Sequence, residues 1–406
     1  MSKRFVVLIF FAWGLVISAS AQSGPLPIGT VTNVGPGTCS GDQWISGSGV
    51  TCSHAIVNCA AASGVASLGM TYAYEGPTSP EGTIVFFSDG DGTTPTGSED
   101  TSTCTYETCH SIKDYAGDYS AHYEVVQTAW DTTYNGNPAD GWEDPTSGSG
   151  GSVGDAACRP ATFLAYIRFG SGTNPPLWSK GGMCVQGESA GGAAAVFPMA
   201  WYGAGSGTGQ NQNYIDKLSL LSSPSLSDIA QGCYYNNGVI PAPTEVCPSG
   251  QLGCNTFNSP PSWYQNVQYS GDGLGSVRGW AGDNNCGGPY DTNETEGNNW
   301  RAMSIVDGNI GTFSYPSTNI TGWLCSSVVD NGAMNNSSPE AQLFFAKFTS
   351  SSQYEGLTIN GVSGCGNAEE VGSGIPPSNY GVTYGWQAIE QDMEGVTNGC
   401  VSHHGQ

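Results

Sequence analysis

The stretch Met183-Cys184-Val185-Gln186-Gly187-Glu188-Ser189-Ala190-Gly191-Gly192 decides how this chain is read. Gly181 to Gln186 has the continuous apolar pattern of a buried strand, and Ala190 to Trp201 is an alanine-rich helix pattern interrupted by Pro198. Between them lies a G-x-S-x-G pentapeptide, Gly187 to Gly191. A serine hydroxyl at its ordinary pKa is a weak nucleophile and needs a position that a base and an oxyanion site can both reach. A sharp strand-to-helix turn supplies it: glycines allow close backbone approach, and the helix aims free N–H groups and its positive end at the serine. The pattern predicts Ser189 as a nucleophile.

Working outward, Leu68 to Tyr74 alternates as an early antiparallel strand. Gly82 to Ser88 is an unbroken β-branched and aromatic run, as in a strand covered on both faces. It ends in the glycine-rich turn Asp89-Gly90-Asp91-Gly92. Tyr123 to Trp130 and Leu218 to Ser222 read as further strands. Asp155 is placed to cap a helix with apolar positions Ala157, Ala161, Phe163, Leu164 and Ile167. Beyond the middle, Pro339 to Phe348 reads as a helix, Gly356 to Val362 as a strand and Tyr384 to Met393 as a helix. Strands alternating with helices predict an α/β fold, a mostly parallel sheet with helices on both faces.

The expected organisation is a signal peptide over 1–21, a disulfide-tied N-terminal region over 22–67, and a core in two parts, 68–231 and 338–406. Residues 232–337, rich in proline, asparagine, glycine and aromatics, are expected to form a disulfide-rich cap inserted above that core. Lys3 and Arg4 precede an apolar run too short to span a bilayer, followed by a small-residue cleavage site at Ala19-Ser20-Ala21. Cleavage near Ala21 predicts a secreted, extracellular or periplasmic protein with no membrane span. Fourteen cysteines suit that oxidising setting as disulfides, with Cys104 and Cys109, and Cys247 and Cys254, as candidate local clips. The absence of a paired C-x-x-C pattern and the scarcity of histidine argue against zinc. Asp89 and Asp91 lack the rest of an EF-hand loop, so no cofactor is expected. A net charge of −24 opposes nucleic-acid and anionic-membrane binding.

A serine nucleophile needs an imidazole to take its proton and a carboxylate to orient that imidazole. The chain has five histidines, His54, His110, His122, His403 and His404. The succession of strand and glycine turn, GESAGG elbow, acid-bearing loop and C-terminal histidine resembles the α/β-hydrolase superfamily. Within it, Gly187 to Gly192 resembles the nucleophile region of carboxylesterases. The usual His-Gly-Gly-Gly oxyanion motif is replaced by Ser88-Asp89-Gly90-Asp91-Gly92, so no subfamily is assigned.

The resemblance implies the chain order serine, acid, histidine, which only His403 and His404 satisfy, His404 being the first choice. It places the acid after the strand Gly356 to Val362, at Glu369 first and Glu370 second, with Asp228 as a rarer placement. The oxyanion donors it implies are the backbone N–H of Ala190 and one from Gly90 or Asp91. The implied activity is hydrolysis of a small or polymeric carboxylic ester. Two rivals remain open: a non-catalytic carbohydrate-binding or surface protein on a degenerate hydrolase scaffold, and an all-β disulfide-rich protein.

Overall fold

The structure, a computed structural model, describes residues 25–40, 44–45, 48–62, 65–87, 119–131, 133–134, 137–138, 141–143, 153–188, 190–205, 213–221, 318–323, 385–395 and 399–400. Eight strands form one sheet: β1 Thr30–Pro36, β2 Thr51–Asn58, β3 Leu68–Glu75, β4 Gly82–Phe87, β5 Glu124–Trp130, β8 Gly182–Glu188, β9 Lys217–Leu221 and β10 Asn319–Trp323. A separate short hairpin pairs β6 Thr133–Tyr134 with β7 Asn137–Pro138. The sheet order is β1-β2-β3-β5-β4-β8-β9-β10. β1, β2, β3 and β5 pair antiparallel, and every pair from β5 to β10 is parallel. The expected mostly parallel sheet is present, with an antiparallel margin.

Strand alternation divides the core into two layers. On one face Val85, Phe87, Val126 and Val185 meet two helices, α2 (Cys158–Phe169) and α3 (Ala190–Tyr202), through Phe163, Leu164 and Phe197. On the opposite face Ile84, Phe86, Val125 and Cys184 pack with Met393 of α4 (Gly385–Glu394) and with Tyr119 and Tyr123. Helices therefore cover both faces. β4 is buried at each of its six positions because it lies between these layers near the middle of the sheet.

Several details depart from the sequence expectations. Asp155 is not a cap: it lies inside a one-turn helix, α1 (Val153–Ala156), and α2 begins after Ala157 without a side-chain cap. Pro198 does not shorten α3, which continues to Tyr202. The N-terminal region contributes two sheet strands, β1 and β2, held by the Cys39–Cys52 and Cys59–Cys158 disulfides. One strand, β10, arises within 232–337, the stretch assigned to a cap, and lies parallel to β9. The expected helix at Pro339 to Phe348, the strand at Gly356 to Val362 and the clips at Cys104/Cys109 and Cys247/Cys254 lie outside the described residues.

Candidate active site

β8 runs to Glu188 and α3 starts at Ala190, so a single position, 189, separates strand from helix. Ser189 itself lies outside the described residues, but its neighbours fix the kind of junction that carries it. Gly187 shows how tight the turn is: a Cβ there would meet the Cα of Gly192 at 2.6 Å and the carbonyl oxygen of Gly191 at 2.7 Å. Both are backbone atoms of α3, which cannot step aside. The glycine of the pentapeptide is thus required by helix-on-strand approach, and the first-turn N–H groups of α3, Ala190 included, have no partner within the helix.

The predicted oxyanion turn, with Gly90 and Asp91, lies outside the described residues. Its root does not. Phe87, the last residue of β4, is the register partner of Gly187 on the adjacent parallel strand, so the chain leaves β4 at the same end of the sheet as position 189. Likewise Leu221, the last residue of β9, pairs with Glu188, and the segment toward Asp228 departs from that end. Asp228, Glu369, Glu370, His403 and His404 lie outside the described residues.

Two of the five histidines are placed, and both stand away from the elbow. His122 precedes β5 and lies 3.6 Å from Glu81, which precedes β4, at the end of the sheet opposite position 189. His54 is on β2, 3.3 Å from Asp131. In the sheet order β2 stands four strands from β8, about 19 Å at ordinary strand spacing. Neither imidazole can serve a nucleophile at position 189, which leaves His110, His403 and His404.

The C-terminal segment is tethered where it bears on this choice. Cys400 forms a disulfide with Cys184 of β8, with Cα atoms 5.7 Å apart, and its N–H donates to the Met393 carbonyl at 2.6 Å. The backbone there seats directly on the sheet, since a Cβ on Gly182 would overlap the Cys400 carbonyl oxygen. Cys400, three residues before His403, is thus bound to the strand that carries the elbow. This pairing was not legible in the sequence, because fourteen cysteines permit many connectivities.

Gln186 was also passed over, read only as part of the strand. It is fully buried three residues before position 189, and neither its Oε1 nor its Nε2 has a hydrogen-bond partner among the described residues. Its signal in the sequence is a lone amide directly after the apolar run Met183 to Val185.

No family model matches the chain, and no curated protein matches it. Among solved structures it is similar to acetyl xylan esterase 1 from Thermoanaerobacterium sp., at 11% identity and a TM-score of 0.40, covering 80% of each chain. It is also similar to EstE1, a thermostable carboxylesterase from a metagenomic library, at 12% identity and a TM-score of 0.36, covering 74% of this chain and 76% of that one. A carboxylesterase from Bacillus subtilis aligns at 9% identity and a TM-score of 0.32, over 75% of this chain and 83% of its own. Likenesses this distant carry no functional assignment. No helix among the described residues is long and apolar enough to cross a membrane.

Proposed function

We propose that this chain is a secreted serine hydrolase that cleaves carboxylic esters through an acyl-enzyme on Ser189, with His404 as base and Glu369 as the orienting acid. His404 takes the Ser189 proton as Oγ attacks the ester carbonyl, and the resulting oxyanion is met by the N–H of Ala190 and one from Gly90 or Asp91. Collapse breaks the bond to the alcohol, which leaves with the proton from His404. Water then attacks the acyl-serine with His404 again as base, releasing the carboxylic acid and restoring the serine.

The observation that carries this reading is the junction itself: strand, one residue, helix, with Gly187 pressed against the α3 backbone. The tether of the C-terminal tail to β8 and the remoteness of His54 and His122 support a C-terminal base. Three disulfides among the described residues fit the oxidising compartment that the N-terminal pattern implies.

A fluorophosphonate probe and a panel of chromogenic esters of graded acyl length test the assignment. Wild type is expected to label and turn over, and Ser189→Ala to lose both, with turnover down by at least about 10³-fold and the thermal midpoint kept. Labelling that survives in Ser189→Ala, or a wild type that neither labels nor hydrolyses any ester, overturns it. Turnover lost in His403→Ala and kept in His404→Ala transfers the base to His403.

A further inference from the structure

The tripeptide Asn319-Ile320-Thr321 is an Asn-x-Thr acceptor pattern for an N-linked glycan, which in an exported chain ordinarily marks a surface loop. Here it lies within β10. Asn319 and Thr321 are each 2% exposed and Ile320 is 0% exposed. Ile320 belongs to the apolar layer that meets α2 and α3, whereas Asn319 and Thr321 are register partners of Lys217 and Ser219 on the opposite face. Both faces of the strand are thus closed. Thr321 accepts from the Lys217 ammonium at 2.9 Å, and the Asn319 backbone N–H donates to the Asp216 carbonyl at 2.9 Å. A glycan is bulky and belongs in solvent, and β10 offers it no way out.

The order of synthesis nevertheless leaves the tripeptide open for a time. β9 ends at Leu221 and β10 begins at Asn319, so their parallel pairing closes a long loop, and such non-local pairing is slow. Burying β10 against β9 also buries Lys217, which is costly until its counter-charge is present. That counter-charge, Asp392, is synthesised about 70 residues after Thr321, a delay of roughly 4 to 14 s at ordinary rates of synthesis. During that delay Asn319 and Thr321 lie outside the sheet, in the extended chain that a glycosyl transferase requires.

We propose that Asn319 is a glycan acceptor only until β10 joins β9, and that modification and folding exclude one another at this strand. In the modification a bond forms between Asn319 Nδ2 and the first sugar of a lipid-diphosphate-linked oligosaccharide. The bond from that sugar to the diphosphate breaks, and the lipid diphosphate leaves with the amide proton. A chain so modified cannot add β10, and Lys217 loses its Thr321 partner; the native protein carries Asn319 bare. The inference rests on export into a compartment that holds such a donor, and not on the esterase chemistry.

Expression in yeast, with a host secretion leader in place of residues 1–21, tests it. Secreted and cell-retained protein are unfolded and treated with peptide N-glycosidase in heavy-oxygen water, which marks each glycosylated asparagine for peptide mass spectrometry. Occupancy at Asn319 is expected to be measurable in the retained fraction and at least about tenfold lower in the secreted, protease-resistant one. In Asp392→Ala, which removes the counter-charge and delays closure of β10, occupancy summed over both fractions is expected to rise at least about threefold. Secreted, protease-resistant protein with Asn319 occupied as fully as in the retained fraction overturns the exclusion. Asn319 bare in both fractions overturns the acceptor role, and unchanged total occupancy in Asp392→Ala overturns the competition with β10. Absence of ester turnover from folded protein, with the expected occupancies found, upholds the inference and sinks the esterase reading alone.

Discussion

The Lys217 ammonium of β9 lies 2.6 Å from the Asp392 carboxylate of α4, with side chains 0% and 2% exposed. Lys217 also donates to the Thr321 hydroxyl of β10 at 2.9 Å. One buried cation therefore joins two strands to the helix that precedes the C-terminal tether. Removing its counter-charge leaves an ammonium stranded in the core. Asp392→Ala is expected to destabilise the fold by roughly 3 to 5 kcal/mol, whereas the double change Lys217→Met with Asp392→Leu should recover most of that loss. Urea unfolding midpoints measure both, and a loss below about 1 kcal/mol in Asp392→Ala would show that the pair is hydrated in solution.

The contact at Gly187 makes a different kind of prediction, because it separates position from chemistry. Gly187→Ala adds one methyl group and no functional group, yet that carbon must push α3 off β8. A displacement near 1 Å at a reacting centre costs on the order of 10²-fold in rate. The variant is expected to lose about that much kcat, with a lowered thermal midpoint and retained labelling by a small, reactive fluorophosphonate. Full activity in Gly187→Ala would mean that the elbow backbone has slack.

What was legible in the sequence follows from how each strand is buried. β4 lies between two apolar layers and therefore reads as a continuous run, Gly82 to Phe87, and β5, buried from Val125 to Trp130, reads as a strand by its β-branched and aromatic residues. The elbow was legible because Gly187 and the small residues of α3 answer to one steric demand. β10 was not: Asn319 and Thr321 are the register partners of Lys217 and Ser219, so half of Asn-Ile-Thr-Gly-Trp serves a buried polar cluster and shows no apolar period. β1 and β2 were missed because Gly, Ser and Thr dilute their alternation while disulfides supply part of what holds them. Apart from the chain order that the resemblance implies, the base is narrowed by placing His54 and His122, since remoteness from the elbow is a property of the sheet order.

The disulfides should respond to reductant in order of access, because exchange requires a thiolate to reach a sulfur atom. Cys39 and Cys52 are partly exposed, whereas Cys59, Cys158, Cys184 and Cys400 are at most 1% exposed. Mild reductant under native conditions is expected to open Cys39–Cys52 first and leave activity intact. Inactivation should then follow the loss of Cys184–Cys400, which closes a sequence separation of 216 residues. Alkylation and mass spectrometry at successive times, set beside ester turnover, test the order. The double change Cys184→Ala with Cys400→Ala is expected to lose on the order of 5 kcal/mol as well as activity. Activity lost while Cys184–Cys400 remains intact would assign the sensitivity to another bridge.

Glu124, the first residue of β5, gives the fold a pH dependence whose sign is fixed by its surroundings. Burial pushes its carboxyl up from the ordinary value of 4.5. The folded chain therefore holds this proton at pH values where the unfolded chain has released it, so stability falls as pH rises from about the ordinary value through the raised one. Above that window the fold carries a partly desolvated carboxylate. Glu124→Gln keeps the shape and abolishes the titration. It is expected to be more stable than wild type at pH 7, with the difference disappearing at pH 4, where wild type is largely protonated in both states. Urea midpoints at the two pH values decide the matter: a gain of equal size at both would trace to packing or hydrogen bonding of the amide, and a loss at pH 7 would mean that the carboxylate is stabilised by a cation.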